Sequence, residues 1–386
     1  MRPARVLHVV ASSRGGGATH VRSLALGLDP ARFDVRVAMP NDGGHVCGAE
    51  FESAGIPFIA LNIESGFSID ILRSLRAMVS QVDILHVHGA RAALYGRLAA
   101  ASLGSLRPQV VYTIHGFSLP FYPARHRWPM IAIERLAARV TDVVIAVSED
   151  ERRSFLAQRI VSADRVKVIH NGVSVTPFRA AEQCRRQLRA AMGFSDDVCV
   201  IATICRLHKP RDFETLLKAV ACLVETIPRV HLLVVGDGPE QPRLSAMRDE
   251  LGLTSWVTLA GGRGDIPAVL AASDIFTLTT WGWEGLPFTI LEAMAAAKPV
   301  VATRAGGIPE AVAEGVTGFM VPRRDVAGLA EAFGRLVRSP ELCAKMGSAG
   351  RDRVEDVFSR KQMVHLTASV YLELLSGLSG NDPSSV

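Results

Sequence analysis

Nowhere does this sequence hold about 18 uninterrupted apolar residues, the approximate length of a bilayer-crossing helix, so no transmembrane span is expected. The first apolar run, Val6-Leu-His-Val-Val10, is too short for a secretory signal and reads as a strand. Cysteine is scarce. The six, at 47, 184, 199, 205, 222 and 343, include no CxxC pair, which argues against a disulfide framework or a zinc ribbon. They read as reduced core residues of a cytosolic protein. Also missing are an aromatic-flanked basic motif and a helix-turn-helix pattern, which weighs against nucleic acid as a partner. A complete G-x-G-x-x-G is absent as well. After Arg14-Gly-Gly-Gly-Ala-Thr-His20 the pattern fails at His20, and no acid stands at the end of a second strand to hold a ribose.

What is present suits a folded chain of some size. The 386 residues, 48% apolar and 21% charged, are ample for two domains, each with its own core. Net charge is only +5, yet a pI near 9.0 suits contact with phosphates or an anionic membrane surface.

Short apolar runs alternate with helical patterns throughout. In the first half, strands are expected near 4–10, 33–39, 84–88, 109–115, 143–148 and 166–170, with crossover helices near 18–28, 69–80, 89–102, 127–139 and 149–158. A second alternation places strands near 198–204, 230–235, 256–260, 275–279, 299–302 and 318–321. The fold class is therefore α/β, with two Rossmann-like, doubly wound parallel-sheet domains. We read residues 1–178 as the first domain, 179–358 as the second, 359–376 as a helix packing back on the first and 377–386 as a flexible tail. A linker is expected at about 175–196. Ligands of such sheets bind at the carboxyl ends of the strands, here around an interdomain cleft.

The most informative segment is Glu284-Gly-Leu-Pro-Phe-Thr-Ile-Leu-Glu292, with seven residues between two carboxylates. Pro287 favours a first helical turn, so Glu284 falls on a loop and Glu292 near a helix start, with free backbone N–H groups beside them. Both acids could face one polar, phosphate-bearing ligand, or serve only as a loop acid and a helix-dipole partner. Arg206, Lys209 and Arg211 directly follow the second domain's first strand, where cations suit phosphate, although basic runs are commonly solvated surface. Gly15 and Gly16 open a helix after the first strand, either to admit an anionic group or as a plain tight turn. His86, His88 and His115 stand at strand ends. His86 reads as a hydrogen-bonded core histidine, and His115, before Gly116, as polar and in the cleft. No spacing assures a metal site. The turns Gly236-Asp-Gly-Pro239 and Gly261-Gly-Arg-Gly264 could accommodate a flat base or be ordinary α/β turns.

Taken together, Gly15-Gly16 with His20, His115-Gly116, Asn171-Gly172-Val173, Arg206, Gly236-Asp-Gly-Pro239, Glu284 through Glu292 and Gly306-Gly-Ile-Pro-Glu310 resemble the retaining glycosyltransferases of family 4, with the GT-B fold. The likeness runs from about residue 4 to 375. It implies a nucleotide-diphosphate sugar as donor, held mainly by the C-terminal domain. Glu292 matches the ribose-binding glutamate, and Glu284 the one contacting donor sugar or diphosphate. Backbone of Gly285, Leu286 and Pro287 would line sugar and phosphates. Arg206 matches the diphosphate-binding arginine, with Arg211 where the family usually has lysine. Gly16 would approach the phosphate and His115 the donor sugar; Ala18 replaces an acid often found in the first glycine motif. Transfer with retention, by front-face displacement and with no divalent metal or other cofactor, is implied; His115, Glu284 and Arg206 are the catalytic candidates.

The stretch Phe117-Ser-Leu-Pro-Phe-Tyr-Pro-Ala-Arg-His-Arg-Trp-Pro-Met130 mixes aromatics with Arg125 and Arg127, which suits a membrane interface or a covered loop. We read Phe117, Arg125, Arg127 and Trp128 as a membrane or acceptor contact. The expected acceptor is a sugar or polyprenyl-diphosphate-linked sugar at the inner face of the cell membrane, in surface polysaccharide or glycolipid synthesis. Two other readings compete: a nucleotide-sugar epimerase of the same fold, disfavoured by the paired glutamates, and a non-catalytic sugar-nucleotide-binding subunit.

Overall fold

A computed structural model describes residues 2–63, 66–117 and 122–379. Positions 118–121 of the aromatic stretch and 380–386 of the tail lie outside the described residues. The chain divides into two compact units, Met1–Asn171 with Arg360–Val386, and Gly172–Ser359.

The first unit is built on seven parallel strands: β1 (Ala4–Val10), β2 (Phe33–Met39), β3 (Phe58–Ala60), β4 (Ile84–His88), β5 (Gln109–Thr113), β6 (Val143–Ala146) and β7 (Val166–Val168), in the order β3-β2-β1-β4-β5-β6-β7. Valine and isoleucine dominate these runs. β4 and β6 are buried along their whole length, as strands covered on both faces must be. The sheet order reverses between β1 and β4. There the crossovers leave in opposite directions and open the crevice where α/β sheets bind ligands. The C-terminal helix, Arg360–Ser379, contributes Met363, Val370 and Tyr371 to this unit's core. It runs three residues into the stretch expected to be tail, 377–379.

The second unit carries six parallel strands: β8 (Cys199–Ile204), β9 (Val230–Val235), β10 (Val257–Leu259), β11 (Ile275–Leu278), β12 (Val300–Thr303) and β13 (Gly318–Val321), ordered β10-β9-β8-β11-β12-β13. Its switch point falls between β8 and β11. The loops after those two strands carry Arg206, Arg211 and Glu284.

Three expectations need correction. The stretch 175–196 is not a linker: helices Thr176–Glu182 and Arg185–Ala191 belong to the second unit, which begins at Gly172. On the second of them, Arg185 and Arg189 donate to the carbonyls of Ala271, Ala272 and Ser273 and pair with Asp274, capping the end of the Ile266–Ala272 helix. None of the six cysteines lies in the fully buried core, and Cys184 and Cys222 are exposed. Finally, no strand was expected at β3, whose three residues form an edge too short to show a period.

Candidate active site

In the second unit, glycine turns hold a cationic loop in place. Gly236 has φ 144°, and a Cβ there would lie 1.8 Å from the Cys205 carbonyl oxygen, so only glycine lets the β9 turn close on the β8 loop. Backbone bonds lace the two together: Cys205 donates to Val235 at 3.0 Å and Leu207 to Asp237 at 2.7 Å. The Gly236-Asp-Gly-Pro turn thus supports the segment that presents Arg206, whose side chain is exposed.

The same loop is tied to the one after β11. Asp212 donates to the Thr279 carbonyl at 3.0 Å, and the Thr279 hydroxyl returns a bond to the Asp212 carbonyl at 2.9 Å. Across this seam Arg211 meets Glu284 at two points, Nη1 to Oε1 at 2.5 Å and Nη2 to Oε2 at 3.3 Å. Burial opposes the Arg211 charge, yet the adjacent Glu284 carboxylate raises its pKa overall. Glu284 is anchored through its backbone as well. Its carbonyl accepts the Gly307 N–H at 2.9 Å, and Gly306, at φ 51°, leaves 1.9 Å between that oxygen and the place of a Cβ.

The helix after Glu284 is Phe288–Ala295, with Pro287 at the N-cap in an extended conformation rather than in the first turn. Pro287 makes no side-chain cap bond, and the positive end of the helix dipole lies at this point of the loop. Glu292 is the helix's fifth residue and half-buried, one turn beyond the start expected from sequence. That weakens the reading of Glu292 as a helix-dipole partner, since the effect fades after the first turn. Gly285 and Pro287 are half-buried and Leu286 is buried.

In the first unit, β1 leads through Gly15, the N-cap, into the Gly16–Ala25 helix. Gly15 has no side chain to compete for the first amides, and Gly16 is exposed. Beside this helix start stands His115, half-buried at φ 55°, a left-handed backbone that is costly for a non-glycine residue. A Cβ on Gly17 would touch the His115 ring at 3.7 Å. Glu151 shapes the turn: fully buried, it accepts the Gly116 N–H and the Val147 N–H, each at 2.7 Å. Sequence reasoning missed Glu151. Its signal was the Ser148-x-x-Glu151 capping box, with Ser148 Oγ accepting the Glu151 N–H at 3.1 Å.

Behind His115 lies a histidine cluster. His86 is a buried, hydrogen-bonded histidine, its Nδ1 against Tyr371 Oη at 2.6 Å and its Nε2 against Thr113 Oγ1 at 2.7 Å. His88 joins His8 at 3.0 Å and His115 at 3.0 Å, while His20 Nδ1 meets Asn171 Oδ1 at 2.9 Å. Burial is the main cause that lowers their pKa values, to about 3 for His8 and about 4 for His20, and well below the ordinary value for His86, His88 and His115. All five are neutral imidazoles near pH 7. Two triplets, His8 with His86 and His88, and His20 with His88 and His115, bring their ligand atoms within 4.8 Å. Such triplets could attract a transition metal. However, both nitrogens of His86 and of His88 are already committed to hydrogen bonds.

Phe117 is a correction. It is not an exposed contact residue but is buried against Phe155, with ring centroids 5.2 Å apart. The other three candidates sit on the Ala124–Ala137 helix, where Arg125 and Trp128 are exposed and Arg127 is half-buried. The helix is moored by Glu134, which accepts two bonds from the buried Arg97, each at 2.9 Å.

Comparison with known proteins decides the family. Residues 14–176 match the profile described as Glycosyltransferase Family 4, and residues 198–339 that described as Glycosyl transferases group 1. The GDP-mannose-dependent alpha-(1-6)-phosphatidylinositol monomannoside mannosyltransferase of Mycolicibacterium smegmatis is 32% identical over 292 residues, 72% of this chain and 73% of that one. The chain belongs to glycosyltransferase family 4. This glycosyltransferase is also 25% identical, over 80% of its length and 82% of the relative's, to the UDP-Gal:alpha-D-GlcNAc-diphosphoundecaprenol alpha-1,3-galactosyltransferase of Escherichia coli. It shares its fold, GT-B, with Anabaena HepE solved with UDP and glucose, at a TM-score of 0.82 and 24% identity over 95% of this chain and 99% of that one. Among the described residues of the glycosyltransferase, no helix is long and apolar enough to cross a membrane.

Proposed function

We propose that this glycosyltransferase moves a hexosyl group, with retention, from a nucleotide-diphosphate sugar to a sugar or polyprenyl-diphosphate-linked sugar, in surface polysaccharide or glycolipid synthesis. The observation that carries the donor assignment is the laced pair of loops at the β8/β11 switch point, which sets exposed Arg206 and the Arg211–Glu284 pair on the same carboxyl-end rim. Glu292 binds the ribose hydroxyls, as a carboxylate with two acceptor oxygens can. Arg206 and Arg211 stabilise charge growing on the departing diphosphate, and Glu284 orients the donor sugar. Gly285 to Pro287 line sugar and phosphates through their backbone. On the first unit, Gly15 and Gly16 approach the phosphate and His115 the donor sugar.

The leaving diphosphate takes the acceptor's hydroxyl proton as the new glycosidic bond forms on the face from which the old one breaks. No divalent metal or other cofactor enters this scheme, in which positioning and arginine charge do the work. Acceptors named for relatives support a lipid-linked substrate: a diphosphoundecaprenol sugar for the Escherichia coli enzyme and a phosphatidylinositol mannoside for the mycobacterial one. The working site is then peripheral, at the inner face of the cell membrane.

A transfer assay with a panel of nucleotide sugars and polyprenyl-diphosphate-linked acceptors tests this. Acceptor-dependent glycoside with retained anomeric configuration is expected. Nucleotide release without any glycoside would overturn the transferase assignment.

A further inference from the structure

Three imidazoles in the first unit form a line. His8 on β1 and His88 on β4 meet through Nδ1 and Nε2 at 3.0 Å, and the Nδ1 of His88 meets the Nε2 of His115, just past β5, at 3.0 Å. The strand register creates this line: β1 and β4 pair in parallel with His8 opposite His86, and His88 follows two residues on, pointing to the same face. Both inner rings are buried, His8 at 0% and His88 at 2% exposure.

A neutral imidazole has one N–H and one lone pair. His88 uses both nitrogens for histidines, so it donates one bond and accepts the other, and both bonds of the line run in the same direction. The far end settles which. His8 Nε2 is buried with no hydrogen-bond partner among the described residues. If the bonds ran inward from His115, that atom would carry a buried N–H with no acceptor, the rarer kind of orphan. Run outward, it holds only a bare lone pair. The outward direction puts the His115 proton on Nδ1, the nitrogen for which no protein partner appears among the described residues, on a half-buried residue. His20 closes the arrangement from the side, edge-on to the His115 ring at 4.6 Å between centroids and 73° between planes.

We infer that His88, backed by His8, is a positioning residue that holds His115 as a single neutral tautomer, its Nδ1–H aimed outward as a hydrogen-bond donor to an oxygen of the donor substrate. This rests on the glycosyltransferase reading of the site. It adds that His115 is a donor and not a general base, because its one lone pair is spent on His88.

The test is nitrogen-15 NMR of the full chain labelled at histidine, near neutral pH and without substrate, together with kinetics. The expected spectrum shows His115 protonated at Nδ1 and bare at Nε2. In His88→Phe, the His115 signals move to tautomer-averaged positions and kcat drops about tenfold or more, while the donor KM shifts far less. His88→Asn, whose amide can donate from near the Nδ1 position, restores most of both. A native His115 protonated at Nε2, or His115 signals unmoved in His88→Phe, would overturn the inference, and the native spectrum decides even if that variant fails to fold. The predicted tautomer pattern in a protein that transfers no sugar would instead count against the glycosyltransferase scheme alone.

Discussion

Arg211 and Glu284 neutralise each other across a two-point contact in which each side chain is only 14% exposed. Removing either one strands a poorly solvated charge. Arg211→Ala is therefore expected to lower stability by roughly 2–4 kcal/mol. Arg211→Lys keeps the charge but loses the fork, at a cost of about 1 kcal/mol. Urea denaturation of the two variants checks the order: a Lys variant as stable as wild type would show that the bidentate geometry carries no weight, and equal losses that charge without the fork contributes nothing.

The histidine cluster makes stability depend on pH with a definite sign. His8 and His20 titrate near 3 and 4 in the folded chain, against about 6.5 for an unperturbed histidine. Burial is the first cause for both; the charge of His20 adds to it for His8, while the bond to Asn171 works against it for His20. Between those folded values and 6.5 the unfolded chain binds more protons, so stability is full above about 6.5 and falls as the pH drops below it. Each such histidine contributes about 1.4 kcal/mol per pH unit in that window. Denaturation midpoints of the first unit should therefore fall steeply from pH 6.5 to 5, and less steeply in His8→Phe. A flat profile would mean that the cluster admits water and charge.

Much of this was legible in sequence, for identifiable reasons. The strands of the second unit announced themselves because valine-rich runs end in Gly or Pro turns, as at Val235-Gly236 and Leu259-Ala-Gly261. The Arg211–Glu284 pair was only half legible: each residue could be placed at a strand end, but not their mutual contact. His8 was missed because nothing in Val6-Leu-His-Val-Val10 marks it; it meets His88, 80 residues away, only through the β1/β4 register. Phe117 failed for the opposite reason. Aromatics beside arginines look exposed until a distant residue, here Phe155, is seen to cover one of them.

The donor loops give a third prediction. Ala at 306 would place its Cβ 1.9 Å from the Glu284 carbonyl oxygen on a backbone at φ 51°. Gly306→Ala should displace the Glu284 loop, costing roughly 2–4 kcal/mol of stability and weakening nucleotide binding. Wild-type affinity in calorimetry would show that this loop does not shape the donor site.

Glu292→Ala isolates the ribose contact. A carboxylate bonded to vicinal hydroxyls supplies charge-assisted bonds, so nucleoside diphosphate affinity should fall by about 2 kcal/mol or more. Because Glu292 is half-buried on the helix and outside its first turn, folding should change far less than binding. Unchanged affinity in titration calorimetry would refute the role.

The last prediction concerns the Ala124–Ala137 helix. Arg125, Trp128, Ala132 and Leu136 follow one another in steps of three and four, which puts them on one face, and all four are exposed. Trp128 is 62% and Leu136 63% exposed, while Glu134, bonded to Arg97, fixes the opposite side to the protein. An exposed apolar row flanked by arginine suits the headgroup region of an anionic bilayer. Burying a large apolar side chain there is worth about 1.5–3 kcal/mol, and each arginine near an anionic surface about 1 kcal/mol. Trp128→Ser with Leu136→Ser should therefore weaken partitioning onto anionic vesicles about a hundredfold or more, by roughly 3 kcal/mol or more in total. Arg125→Ala should weaken binding modestly and only on anionic vesicles. Arg127, half-buried and one residue before Trp128, faces away from the row, so Arg127→Ala should bind as wild type does. If the double variant cosediments as well as wild type, the helix does not dock on lipid, and the lipid-linked acceptor would have to reach the enzyme by another surface.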